Sequence, residues 1–196
     1  MPPAGATRDA LLDAAFDAIV AGGWAQARMA DVAAAAGVSR QTLYNEFGSK
    51  DGLAQALTLR EVERFIDGTE AALEEAHAAG PVAAITACVA HTLREASGNP
   101  LLKATVSDDS NGLLPFLTTR GQPVVGAARE SVRNYLLEHW PALPVADIDA
   151  VTDTVVRLTI SYIVLPAGPD ESVDGVAARI AQVVERLVMP PRRNSA

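Results

Sequence analysis

Gly37 sets the tightest limit on what this chain can fold into. It stands in Arg28 to Lys50, RMADVAAAAGVSRQTLYNEFGSK, between two short segments that each carry apolar residues at helical spacing. Met29, Val32, Ala33 and Ala36 line the first segment; Leu43 and Phe47 line the second at i, i+4. A glycine between them can take the left-handed conformation that ends a helix, Val38 can fold back as a plug, and Ser39 is a good N-cap for the helix that follows. Two helices joined by a tight turn are therefore expected, the second presenting Arg40, Gln41, Thr42, Tyr44 and Asn45 on its polar face. Those side chains are of the types that bond base edges and phosphates, as a recognition helix does in a major groove. An ordinary helical hairpin with a solvated face produces the same pattern, so spacing alone leaves both readings open.

The run AAAAGVSRQTLYNEFGSKDGL resembles the DNA-binding signature of the TetR family of transcriptional repressors, through A-x-x-A-G-V-S, T-L-Y-x-x-F and S-K-x-x-L. The resemblance implies an all-α protein: a three-helix head with a helix-turn-helix over residues 1–50, and a larger helical domain for ligand binding and dimerisation over 51–196. It implies a DNA-binding regulator, a repressor by family habit, acting as a homodimer on a palindromic double-stranded operator and released by an unidentified small-molecule effector. The DNA contacts would come from Arg28, Ser39, Arg40, Gln41, Thr42, Tyr44, Asn45 and Lys50. Arg40 and Gln41, in the first turn, are the expected base readers, since arginine forks onto guanine and glutamine onto adenine. Thr42, Tyr44 and Lys50 match family positions that hold the DNA backbone. Two positions depart from the family pattern. Arg28 stands where a capping Thr is common, and Glu46 where His is common. A carboxylate beside a phosphate is repulsive, so Glu46 is expected to turn to solvent.

Charge gives the interface little help. The 196-residue chain carries a formal charge of −8. Residues 1–50 hold Arg8, Arg28, Arg40 and Lys50 against Asp9, Asp13, Asp17, Asp31 and Glu46, a net of −1. No basic tail is present to bind phosphates nonspecifically, which leaves affinity and selectivity to the few residues above.

The remaining chain reads as helices. Apolar residues reach 49%, much of it alanine, the best helix former, while aromatics are 5%. Residues 1–6 read as a loose arm, and Thr7 as the cap of a helix over about 8–22, ended by Gly22-Gly23, whose apolar stripe packs on the two short helices; Trp24 should anchor the connection as a core aromatic. Ser49 should cap a long helix over about 50–78 that joins the two domains without a Pro- or Ser-rich linker. Helices are expected over 81–96, near 113–119, over 123–139, 146–165 and 173–189; 97–112 reads as irregular with a short helix in its middle, and the tail PPRRNSA as disordered. The last two helices carry the expected dimer face, Val155, Leu158, Tyr162, Val176, Ile180, Val183, Val184 and Leu187, although burial within the chain's own core explains the same stripes. Phe116, Leu117, Tyr135, Trp140 and Tyr162 are candidates to line an effector pocket, with plain core packing as the alternative for each. The apolar stripes hold few charges, which favours an uncharged or amphipathic organic effector.

Enzyme chemistry finds no support. No glycine-rich phosphate loop, G-x-S-x-G elbow or His-rich metal spacing occurs, so no catalytic residue, metal or cofactor is expected. Cys88 and His91 sit at i, i+3, but two ligands do not make a zinc site, and Asp108-Asp109-Ser110 reads as a polar loop. A single cysteine excludes an intramolecular disulfide and fits a reducing cytoplasm. No secretory signal or membrane-spanning run is visible, so a soluble cytoplasmic protein with no membrane partner is expected.

Overall fold

A computed structural model describes residues 4–107, 114–168 and 170–188. Within them the chain is helical and contains no strand: α1 (Ala4–Gln26), α2 (Met29–Ala35), α3 (Arg40–Phe47), α4 (Lys50–Ala76), a 3₁₀ turn (His77–Ala79), α5 (Pro81–Gly98), α6 (Pro100–Ser107), α7 (Leu114–Leu117), α8 (Gln122–His139), α9 (Val145–Val164) and α10 (Val173–Val188). The loop Asp108-Asp109-Ser110 and the tail from residue 190 lie outside the described residues.

Several boundaries differ from those expected. The first helix begins at Ala4, before Thr7, and the Gly22-Gly23 pair kinks it instead of ending it: Gly23 has φ 76°, and helix continues to Gln26. The short helix expected within 97–112 is α6, which starts early in that segment because Asn99 caps it: Asn99 Oδ1 accepts from the Leu101 and Leu102 amides at 2.9 and 3.1 Å, ahead of a proline suited to a first turn.

The chain forms two compact units. The first comprises residues 1–61 and 98–124. Its core joins Leu11, Leu12, Ala15 and Ile19 of α1 to Val32 and Ala33 of α2, Leu43 and Phe47 of α3, and Leu53 and Leu57 of α4. Leu101 of α6 and Phe116 of α7 are buried in the same cluster, so a segment distant in sequence completes it. The second unit comprises residues 62–97 and 125–196. Its core is built from Leu73 of α4, Ile85, Cys88 and Val89 of α5, Val132 and Leu136 of α8, Ile148, Val151 and Val155 of α9, and Val176, Ile180 and Val184 of α10. Ala177, also buried there, lets α9 and α10 pack closely. The long helix α4 gives its residues through Glu61 to the first unit and the rest to the second.

Candidate nucleic-acid interface

The turn between α2 and α3 is made as the residue types demand. Gly37 takes φ 70°, a conformation that a Cβ would strain. The Val38 amide donates to the Ala33 carbonyl at 2.9 Å, folding the chain back across the end of α2. Ser39 then caps α3, its Oγ accepting from the Thr42 amide at 3.1 Å and bonding the Thr42 hydroxyl at 2.9 Å. Leu43 and Phe47 are buried on one side of α3; Arg40, Gln41, Tyr44 and Asn45 are exposed on the other.

The exposed side chains are ordered by bonds among themselves. Gln41 Nε2 donates to Asn45 Oδ1 at 2.8 Å, which sets two amides in line along the helix surface. Arg40, in the first turn, is exposed, and among the described residues no side chain bonds its fork of donors. Tyr44 is 39% exposed, unusually open for an aromatic residue. Arg28 stands at the N-cap of α2 with an extended backbone and no capping bond from its side chain, exposed as a loss of the usual cap implies.

Lys50 is less free than its sequence position suggests. Its Nζ donates to the Trp24 carbonyl at 2.8 Å and lies 4.7 Å from the centroid of the buried Trp24 ring. Burial lowers its pKa from the ordinary lysine value, opposed by the neighbouring Asp51 carboxylate. The ammonium keeps two further donors, at the start of α4. That start is held by Ser49 Oγ, which accepts from the Gly52 amide at 3.0 Å, and by close approach to α3: a Cβ on Gly52 would lie 2.0 Å from the Phe47 carbonyl oxygen. Only glycine fits there.

Glu46 is exposed, as expected, but not free. Arg8 Nη1 donates to its Oε1 at 2.7 Å, and the Arg8 guanidinium lies over the Phe47 ring. Arg8 is the residue at this interface that the sequence reading left unassigned. The only pointer to it was Glu46 itself, a carboxylate in need of a cation 38 residues away.

The five pocket candidates are divided between the two units. Phe116 is buried in the first unit's core, with Leu117 beside it in sequence and half-buried. Tyr135, Trp140 and Tyr162 pack around the second unit's core. Tyr135 stacks on His139, with centroids 4.0 Å apart, and donates to Glu74 Oε2 at 2.9 Å; burial, then that bond, pushes its pKa up to about 12. The Tyr162 hydroxyl accepts from Arg179 Nη1 at 3.1 Å, and Arg179 also pairs with Glu171. A signal missed in the sequence lies on α9. Among the described residues the buried hydroxyls of Thr152 and Thr159 have no hydrogen-bond partner, nor has His77 Nδ1 or, in the first unit, Arg60 Nε and Nη2. Thr58, Thr69, Thr86, Thr92 and Thr118 each bond a carbonyl three or four residues back.

The stripe assigned to dimerisation divides in two. Val155, Val176, Ile180 and Val184 are buried within the chain's own core. Leu158 and Tyr162 are half-buried against that core, while Val183 and Leu187, one turn apart on α10, stay exposed. Among the described residues no group of three or more His, Cys, Asp or Glu side chains is placed to hold a metal, and no helix is long and apolar enough to cross a membrane. Burial pushes the Cys88 thiol up to about 12, which leaves it protonated and unreactive.

Comparison with known proteins agrees with this geometry. Residues 11–57 match the family described as bacterial regulatory proteins, tetR family, and residues 81–186 match the bacterial tetracyclin repressor, C-terminal domain. A Mycobacterium tuberculosis protein, HTH-type transcriptional regulator AlkX, is 33% identical over 174 residues, spanning 88% of this chain and 82% of that one. The crystal structure of the TetR family repressor AlkX from Dietzia sp. strain DQ12-45-1b, implicated in biodegradation of n-alkanes, superposes with a TM-score of 0.74 at 31% identity, covering 91% of this chain and 98% of that one. The fatty acid degradation regulator FadR from Bacillus halodurans shares the fold, with a TM-score of 0.55 at 19% identity over 95% of this chain and 97% of that one. These relatives are regulators, not enzymes.

Proposed function

The chain belongs to the TetR family of transcriptional regulators, and from that premise we propose that it is a repressor which binds a palindromic operator as a homodimer and leaves it when a small molecule binds. The observation that carries the reading is the outer face of α3, where Arg40, Gln41, Tyr44 and Asn45 stand exposed over a buried Leu43 and Phe47. A helix so mounted fits a major groove with its first turn against base edges. Arg40 and Gln41 read bases; Ser39, Thr42, Tyr44, Lys50, Arg28 and Asn45 contact the backbone or flanking edges. Residues 1–50 serve DNA binding, and 51–196 serve effector binding and dimerisation. A second copy would meet this one through Val183 and Leu187, with Leu158 and Tyr162 beside them, since the remaining apolar positions of that stripe are used internally.

The effector site belongs to the second unit, among Tyr135, Trp140 and Tyr162, with the unpartnered hydroxyls of Thr152 and Thr159 available to a ligand's oxygen atoms. Phe116 and Leu117, in the first unit, are the weaker members of that set. An uncharged or amphipathic organic molecule suits such a lining. The naming of the Dietzia relative for n-alkane biodegradation supports an aliphatic one. The protein acts in the cytoplasm, where its DNA lies.

Selection of duplexes from a random pool, followed by mobility shift at low salt, tests the reading. Recovery of a two-fold symmetric site bound by two chains is the expected result; no binding at low salt overturns it. Reporter expression in a deletion strain separates repression, where expression rises, from activation, where it falls.

A further inference from the structure

Glu46 places a carboxylate on the flank of the helix that meets DNA, where it would repel a phosphate. The structure neutralises it from another element. Arg8, near the start of α1, donates from Nη1 to Glu46 Oε1 at 2.7 Å, and its Cζ lies 4.9 Å from the centroid of the Phe47 ring. Phe47 belongs to the first unit's core, so the surface under the guanidinium is fixed. The Arg8 side chain remains 43% exposed, and among the described residues Glu46 is the group its guanidinium bonds, through one of five N–H donors. An exposed ion pair of this kind adds little to folding stability, so its worth lies in where it holds the cation.

We propose that Arg8 contacts a DNA phosphate, with Glu46 and Phe47 as the anchor that orients its guanidinium beside the recognition helix. The inference rests on the DNA-binding reading of α3 and adds a contact from α1 to it. A planar guanidinium gripped on one edge by a carboxylate and on its face by an aromatic ring loses little freedom when the opposite edge meets a phosphate. Glu46 is thus a positioning residue that acts through Arg8, and the repulsion expected of it appears only when Arg8 is removed.

A double-mutant cycle on the full chain tests this, with the duplex recovered by selection with the wild-type chain as probe and affinity read by fluorescence anisotropy across a salt series. Arg8→Ala is expected to weaken binding about tenfold and to lower the magnitude of the salt slope by about two, one phosphate in each half-site. Glu46→Gln is expected to weaken binding about threefold in the wild-type background, where it frees the anchor, and to strengthen it in the Arg8→Ala background, where it removes an uncompensated charge. Arg8→Lys should keep the slope and lose part of the affinity, since an ammonium cannot stack and fork at once. An unchanged salt slope in Arg8→Ala, or the same effect of Glu46→Gln in both backgrounds, overturns the assignment. Arg40→Ala is measured alongside. If it weakens binding while Arg8→Ala does not, only the Arg8 contact falls; if neither does, the reading of α3 falls with it. Should Arg8→Ala depress the melting midpoint, Arg8→Gln, which keeps the stem, takes its place in the cycle.

Discussion

The surface around α3 and the interior of the second unit treat their polar groups differently. Around α3 most polar side chains are held by a bond, Ser39 with Thr42, Gln41 with Asn45, Arg8 with Glu46, and Lys50 with the Trp24 carbonyl, while Arg40 bonds no other described side chain. In the second unit Thr152, Thr159 and His77 keep polar atoms buried without partners. A surface that must match a stiff duplex gains from side chains ordered in advance, because less freedom is lost on binding. A buried hydroxyl without a partner costs stability until something bonds it, which is what the proposed effector site would supply.

The largest way to break the ordered unit is Gly52→Ala. A Cβ there would meet the Phe47 carbonyl at 2.0 Å, so α3 and α4 must separate; a loss of about 3 kcal/mol is expected, the upper end for overpacking. Urea denaturation measures it, and a variant as stable as wild type would show that this approach tolerates a methyl group. Next is Arg40→Ala, the one cation on α3 bonded to no other described side chain. It should cost roughly 1–3 kcal/mol on the selected operator and relax selectivity at one base pair per half-site, without loss of stability. Selection with the variant checks this, and an unchanged motif would count against base reading.

Lys50 gives a smaller, pH-dependent effect. Its lowered pKa means that the ammonium, and with it the attraction to phosphate, is present at low pH and is lost as pH rises, sooner than for an ordinary lysine. Operator affinity of the wild type should therefore begin to fall relative to Lys50→Arg at a pH below the ordinary lysine value. Parallel curves would exclude a phosphate role for this ammonium. The smallest effect sharpens the comparison from the other side. Thr152→Val removes a hydroxyl that bonds nothing and should leave stability unchanged or raise it by up to about 1 kcal/mol, whereas Thr86→Val loses a bond to the Val82 carbonyl and should lower it by a similar amount. Matching losses in the two variants would mean that Thr152 has a partner in solution.

What the sequence made legible was local. Gly37, Ser39, Ser49 and the apolar spacing of Leu43 and Phe47 act within a few residues of themselves, and the turn, both caps and the buried side of α3 follow from them. What it hid was long-range. Arg8 meets Glu46 across 38 residues, and no spacing rule reaches that far. Phe116 reads as either a pocket or a core aromatic in the sequence, and its burial with α1 to α4 is set by contacts from far along the chain. The stripe on α9 and α10 announces that Val155, Val176, Ile180 and Val184 are buried, but not what buries them; their own chain does. Hydrophobic periodicity reports that a face is covered and is silent about the cover.

Cys88 closes off one kind of signal. Burial pushes its pKa up to about 12, which disfavours the thiolate, the form that oxidants attack. A thiol so placed is a packing group of the second unit's core, and its sulfur is closed to the chemistry that an exposed cysteine would invite.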